Sequence, residues 1–165
     1  MLDEIIPFRY LPPALREAAS GDTSERSYDP GDILIVHDDA DDTRVFLLLE
    51  GSVRMVDPRY PGSAGRVVVA GHYFGERSAL FGEARGMQVH AIDHVRALTL
   101  PGDRFLTLVQ ESTAFSQALG SILRDKQGVF LDFDRFRVEL QREVAGGSVD
   151  LKKLLGAASV CRGWL

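Results

Sequence analysis

The chain has 165 residues, 45% hydrophobic and 26% charged, with a formal net charge of -5 and a single cysteine. This balance excludes wholesale disorder and a low-complexity fibre, and it leaves no cysteine pair for an internal disulfide. A dominant nucleic-acid role, which would show a basic surplus, is also disfavoured.

No run reaches the ~18 apolar residues that a membrane span needs. Asp3 and Glu4 stand where a signal peptide would be basic. The expectation is a soluble, unprocessed, cytoplasmic protein.

Along the chain, residues 7–20 predict a short helix. Pro12 and Pro13 suit its first turn, where a missing N–H costs nothing. Leu15, Ala18 and Ala19 give it one apolar face, and Gly21-Asp22 end it.

Residues 27–100 read as strands. Ile33 to Val36 is a β-branched run. Val45 to Leu49 is almost wholly apolar, as expected of a strand covered on both faces. Val53, Met55 and Val67 to Val69 continue the theme, and residues 89–100 alternate with a break near Asp93. Turn signals recur at close spacing: Asp29-Pro30-Gly31, Glu50-Gly51, Asp57-Pro58, Pro61-Gly62, Ala70-Gly71 and Pro101-Gly102. Many short strands with regular turns predict a mainly β fold, a β jelly roll or barrel, with one N-terminal helix and several C-terminal helices.

Asp103 is the expected N-cap of a helix over residues 103–127. Phe105, Leu106, Val109, Phe115, Leu119, Ile122 and Leu123 recur there at helical spacing. Residues 128–165 also read as helical, broken at Gly146-Gly147-Ser148.

The chemically informative stretch is Gly71 to Ala91. A strand feeds a turn containing Gly71 and Gly75, and Glu76 to Phe81 can form one helical turn. The first N–H groups of such a turn have no internal partner, and with the helix dipole behind them they suit a phosphate. Arg85, nine positions after Glu76, can add a bidentate positive charge. Glu76 can accept from a ribose hydroxyl. One short segment thus offers a sugar acceptor, amide donors and an anion clamp.

These residues resemble the phosphate-binding cassette of the cyclic-nucleotide-binding domain family, which includes regulatory subunits of cyclic-AMP-dependent kinase and bacterial catabolite activators. The family pattern F-G-E-x-A-L-L, four residues, then R-A-A-T-V-x-A is met without a gap. Here it reads Phe74-Gly75-Glu76-Arg77-Ser78-Ala79-Leu80, then Arg85-Gly86-Met87-Gln88-Val89-His90-Ala91. Phe8 with Leu11-Pro12, Tyr28-x-Pro30-Gly31-Asp32-x-Leu34, Phe46 to Val53, and Leu98 to Phe105 resemble other family segments.

The resemblance implies a cyclic-nucleotide-binding domain over 8–127 and a C-terminal helical extension over 128–165, serving as a lid or a surface for a protein effector. It implies a cyclic purine nucleotide as ligand, with no catalytic residue, metal or cofactor. Glu76 would bind the ribose 2′-hydroxyl and Arg85 the cyclic phosphate. Gly75, Ser78 and Ala79 would give backbone approach or amide donors. Phe74, Arg77, Gly86, Met87 and Val89 complete the expected binding set, with Val69 and Ala91 as further pocket walls.

The sequence departs from the pattern at Ala84 (usually proline), Gly86, Met87 (larger than the usual alanine) and Gln88 (commonly threonine). Gly86 offers no hydroxyl where cyclic-GMP-selective members tend to carry one. The ligand expected is therefore cyclic AMP first and cyclic GMP second. Phe130, Phe133 and Phe136 are candidate base-stacking residues by position, and each is equally explained as helix core.

Each residue also has a plainer explanation. Taken alone, Arg85 would be a surface arginine paired with Glu83 or Asp93. The acidic run Asp38, Asp39, Asp41, Asp42 counts towards a calcium loop from Asp39 but carries Arg44 where the loop glycine belongs, so it reads as a solvated turn. His90 and His94 are four apart on an expected strand and make no metal pair. Ser78 has no base nearby in sequence. Two rival classes stay open: a jelly-roll interaction module with a degenerate, non-binding cassette, and a small cupin-like metalloenzyme.

Overall fold

The computed structural model describes residues 1–119 and the backbone of two short strands, Phe130–Leu131 and Ser159–Val160. The expected domain boundary at 127/128, and Phe133 and Phe136, lie outside the described residues.

Eight antiparallel strands form two four-stranded sheets. They are β1 (Ser24–Tyr28), β2 (Ile33–Ile35), β3 (Val45–Glu50), β4 (Ser52–Val56), β5 (Arg66–Val69), β6 (Tyr73–Phe74), β7 (Gln88–Ala91) and β8 (Val95–Leu100). One sheet has the order β1-β8-β3-β6 and the other β2-β7-β4-β5. This is the expected β jelly roll. The helices are α1 (Pro13–Asp22), α2 (Glu76–Phe81) and α3 (Gly102–Glu111), followed by a helical run at 113–119.

The apolar run at Val45–Leu48 is explained by two separate cores. Alternation along β3 sends Phe46 and Leu48 between the sheets, with Leu34, Ile35, Val53, Phe74, Val89 and Ala97. The same alternation sends Val45 and Leu47 outward beneath the helices, with Phe8, Leu80, Leu100, Phe105, Leu108 and Phe115. Both faces of β3 are therefore buried. Inside the barrel, Phe46 stacks on Phe74 at 5.1 Å and 6°. In the second core, Phe8 meets Tyr73, Phe105 and Phe115 with centroids 6.3, 6.4 and 5.3 Å away. The N-terminal segment is thus fastened to α3 and the run after it.

The helices differ from the sequence reading at both ends of α1, at the N-cap of α3, and at Ser112, which interrupts the helix expected over 103–127. Phe130–Leu131 and Ser159–Val160, expected to be helical, are strands paired with each other, so Phe130 is not helix core. α1 starts at Pro13, with Pro12 as its N-cap, and runs through Gly21 and Asp22. It stops at Thr23, whose hydroxyl donates to the Ser20 carbonyl at 2.7 Å. Ala18 is exposed, and Ala19 alone carries the deeply buried contact. Pro101, not Asp103, is the N-cap of α3. Proline fixes the φ needed for entry into a helix, so Asp103 falls into the first turn, where its charge still complements the dipole.

Phe8 is fully buried and shared by three rings. Phe8→Ala should lower stability by about 3–5 kcal/mol, read from urea unfolding. A loss below about 1 kcal/mol would mean that the N-terminal segment is not part of the cooperative fold.

Candidate functional site

The cassette lies between β6 and β7. β6 ends at Phe74, whose ring is held by Phe46. Gly75 then turns the chain at φ +88 and serves as N-cap of α2. A Cβ there would lie 2.9 Å from the Arg44 carbonyl oxygen and 3.0 Å from Arg85 Nη1. Glycine is therefore required both by the left-handed backbone and by the close approach of the arginine. α2 buries Glu76, Ser78, Ala79 and Leu80, and Gly82 ends it in the left-handed region.

Arg85 is only 3% exposed. Its Nη1 donates to the Gly75 carbonyl at 2.7 Å and its Nη2 to the Arg44 carbonyl at 2.6 Å. Nη2 also lies 3.1 Å from the Asp42 carboxylate. Its backbone is tied to the same loop: Arg85 N–H donates to the Asp39 carbonyl at 3.0 Å, and Asp38 N–H donates to the Arg85 carbonyl at 2.8 Å. Arg85 Nε is buried and has no acceptor among the described residues.

Within the acidic run Asp38 and Asp41 are exposed, as expected of a solvated turn, whereas Asp39 and Asp42 are partly buried against the cassette. Asp39 organises the run by accepting from the N–H groups of Asp41 and Asp42 at 2.9 and 3.2 Å. Asp42, with a side chain 10% exposed, faces Arg85 and also takes both prongs of Arg44 at 2.9 and 3.1 Å. Arg44 in turn lies 5.0 Å over the Phe46 ring. Burial by itself would raise the Asp42 carboxyl. Hydrogen bonds from Arg44 and the charge of Arg85 outweigh it and hold the carboxyl below the usual aspartate range. Nor does Arg85 pair with Glu83 or Asp93 at the surface. Position alone could not have revealed Asp42 and Arg44 as its partners, because they are about forty residues upstream; only the fold brings them together.

Beside this arginine lies a cavity of about 570 Å³. Of the expected set, Phe74, Gly75, Glu76, Arg77, Ser78, Arg85, Gly86, Met87 and Val89 line it. Ala79 does not; its side chain is in the core beneath the helices. Val69 is half exposed and faces away, and Val68 takes the wall position, because alternation on β5 reverses the two. Ala91 is buried between the sheets and is not part of the wall. Arg77 sits at the rim, 3.8 Å from Glu83 and 5.0 Å over the Phe81 ring. Sequence reading missed Ile35, which lies against Gly75, and Met55, Asp57, Arg59, Arg66 and Val68 from the β4–β5 hairpin.

Glu76 is 5% exposed. Burial, reinforced by the charge of Glu76, pushes the Tyr73 phenol far up, so it stays protonated. Among the described residues no group of three or more His, Cys, Asp or Glu side chains converges as a metal-ligand set, and no helix is long and apolar enough to cross a membrane.

Residues 25–112 match the family model for the cyclic nucleotide-binding domain. The chain belongs to that family. The fold of this domain is shared by solved structures of low identity. The regulatory subunit of a cAMP-independent protein kinase A from Trypanosoma brucei is 22% identical with a TM-score of 0.65, over 76% of this chain and 44% of that one. The sensor domain of the transcriptional regulator DNR from Pseudomonas aeruginosa is 15% identical with a TM-score of 0.66, over 76% and 90%. The catabolite activator protein of Thermus thermophilus is 19% identical with a TM-score of 0.59, over 84% and 62%. The domain thus spans less than half of the kinase regulatory subunit. No curated protein matches it.

The Asp42 carboxyl is depressed in the folded state, so its contribution is complete above the unfolded aspartate value of about 3.9 and fades as pH falls through the lower folded value. Asp42→Asn should cost about 1.5–3 kcal/mol at pH 7, and the gap to the wild type should narrow below about pH 4. Urea unfolding at both pH values checks this; an equal gap at both would remove the charge from the account.

Proposed function

We propose that this domain is a sensor of a cyclic purine nucleotide and carries no catalysis of its own. The observation that carries the reading is Arg85: a buried guanidinium beside the cavity, with Nη1 and Nη2 held by the chain and Nε without an acceptor among the described residues. A buried donor left unmade costs about 1–3 kcal/mol. A phosphate oxygen is the acceptor that fits a fixed guanidinium edge. Glu76, buried on the same wall, would then accept from the ribose 2′-hydroxyl.

Judged from the cassette alone, cyclic AMP is the first ligand and cyclic GMP the second, because Gly86 brings no hydroxyl to the base. The output is conformational. α2 packs against α3 through the core that holds Leu80, Phe105 and Leu108. A cassette that closes on phosphate therefore moves α3 and the helices expected after it, where a protein effector would bind. The ligand shifts that equilibrium only by its preference for one arrangement. We place this work in the cytoplasm.

The rival reading is a jelly-roll interaction module with a non-binding cassette. It is favoured by how much of Arg85 is already engaged by Asp42 and two carbonyls.

Calorimetric titration with cyclic AMP, cyclic GMP and plain AMP separates the two. One-site binding of a cyclic nucleotide is expected, weakened about 30-fold or more in Arg85→Ala, as for removal of one partner of a buried charge contact. No heat with any of the three, from folded protein free of carried-over ligand, would leave the interaction module standing.

Around Gly86 there is open space, with nothing within 4 Å of an added Cβ. Gly86→Ser should therefore fold normally and raise cyclic GMP affinity relative to cyclic AMP in the same assay. An unmoved ratio would detach base choice from this position.

A further inference from the structure

Among the described residues each four-stranded sheet leaves two strand edges unpaired: β1 and β6 in one, β2 and β5 in the other. An unpaired edge is a row of open N–H and C=O groups, a template for another strand. Three of the four are blunted. β1 carries Glu25 and Arg26. β2 has three residues and a register shift where it meets β7, and β6 has two residues. β5 differs from all of them. It reads Arg66-Val67-Val68-Val69 and pairs with β4 in unbroken register. It has no proline or lysine, and its one charge, Arg66, is turned to the cavity.

The β4–β5 ladder fixes which backbone groups of β5 are open. Ala70 N–H donates to the Gly51 carbonyl at 3.2 Å, two steps along from the Val53–Val68 pair. Bonded and non-bonded pairs alternate in an antiparallel ladder. Val68 is therefore bonded to β4, and the N–H and C=O groups of Val67 and Val69 point away from it. The side chains of the same two valines stand on the outer face, 46% and 50% exposed. His72 Nδ1 lies 3.3 Å from the Val69 carbonyl oxygen, which keeps a second lone pair for a strand partner.

We propose that β5 is an interface with a second copy of this chain, formed by antiparallel pairing of β5 with β5 about a two-fold axis at Val68. Residues opposed in such a pair point to the same face, so the axis must pass at a residue and not between two. With the axis at Val68, Val67 stands opposite Val69 of the second copy. Each such pair exchanges two N–H···O=C bonds, and every open group of both valines is used. The exposed valines of the two copies then form one apolar stripe on the joined outer face. Arg66 falls opposite Ala70 of the second copy, so no like charges meet. A patch that pairs with itself about a two-fold axis closes at two chains. The pairing needs no bound nucleotide. It is a small contact, in the weak class below about 1,200 Å².

Sedimentation equilibrium of the full chain tests it, in reductant so that Cys161 forms no cross-link. The mean mass should rise from one chain towards two between about 10 and about 500 µM. Val67→Lys/Val69→Lys sets lysines directly opposite lysines at positions that face outward. It should unfold in urea like the wild type and stay a single chain throughout. Val67→Glu/Val69→Glu should do the same alone, and an equal mixture of the two variants should associate again. A wild-type chain that stays single at about 500 µM overturns the interface. So does a dimer that persists in the folded lysine variant, since its contact is then elsewhere. Amide hydrogen exchange of the wild type gives the answer without any variant. The N–H groups of Val67 and Val69 should gain protection as concentration rises, while Val68, already bonded to β4, should not. Protection of Val67 and Val69 that is independent of concentration would mean that another part of the same chain covers this edge, and it also overturns the assignment.

Discussion

Burial of the Arg85 guanidinium is the constraint on which the candidate site is built. A charge taken out of water must be compensated or it is prohibitively costly, and an arginine cannot relieve the cost by losing its proton. Here compensation comes from the Asp42 carboxylate and two backbone carbonyls, those of Gly75 and Arg44. Each makes its own demand. Gly75 must be glycine for its carbonyl to face the guanidinium with the chain in the left-handed region. The loop that carries Asp42 must be strapped to the cassette, and the backbone bonds of Asp38 and Asp39 to Arg85 do this. Arg44 must be fixed, and Asp42 and the Phe46 ring hold it.

The two cores give this arrangement a mechanical context. β3 is buried on both faces, so the barrel interior and the helical layer share one strand. Phe74, the residue before Gly75, is held inside the barrel by Phe46. Leu80, on the helix after Gly75, is held in the helical layer with Phe105 and Phe115. The cassette therefore straddles both cores. Interiors of this kind are close-packed, so α2 and α3 share one continuous layer of side chains.

The cavity divides its chemistry between two walls. The cassette wall carries Glu76, Ser78 and Arg85. The hairpin wall carries Met55, Val68 and Arg66. Small-molecule sites commonly combine an apolar lining with a few placed polar groups.

Much of this was legible in the sequence because it depends on short-range pattern. Closely spaced turn residues and β-branched runs indicated the barrel, and the gapless spacing from Phe74 to Ala91 marked the cassette as a unit. The wholly apolar run at Val45–Leu49 already announced a strand covered on both sides. What could not be read depends on long-range pairing. The choice of Val68 over Val69 as a wall residue is set by the register of β5 on β4, and a shift of one residue would reverse it. The pairing of Asp42 with Arg85 joins residues far apart in the chain, and no local spacing encodes it. The presence of Arg66 at the cavity likewise comes from the hairpin folding back over the cassette. Sequence by itself determined which segment carries the chemistry, because that segment folds locally. Tertiary structure alone decided what surrounds it, because burial and charge compensation are settled between strands that meet only in the folded chain.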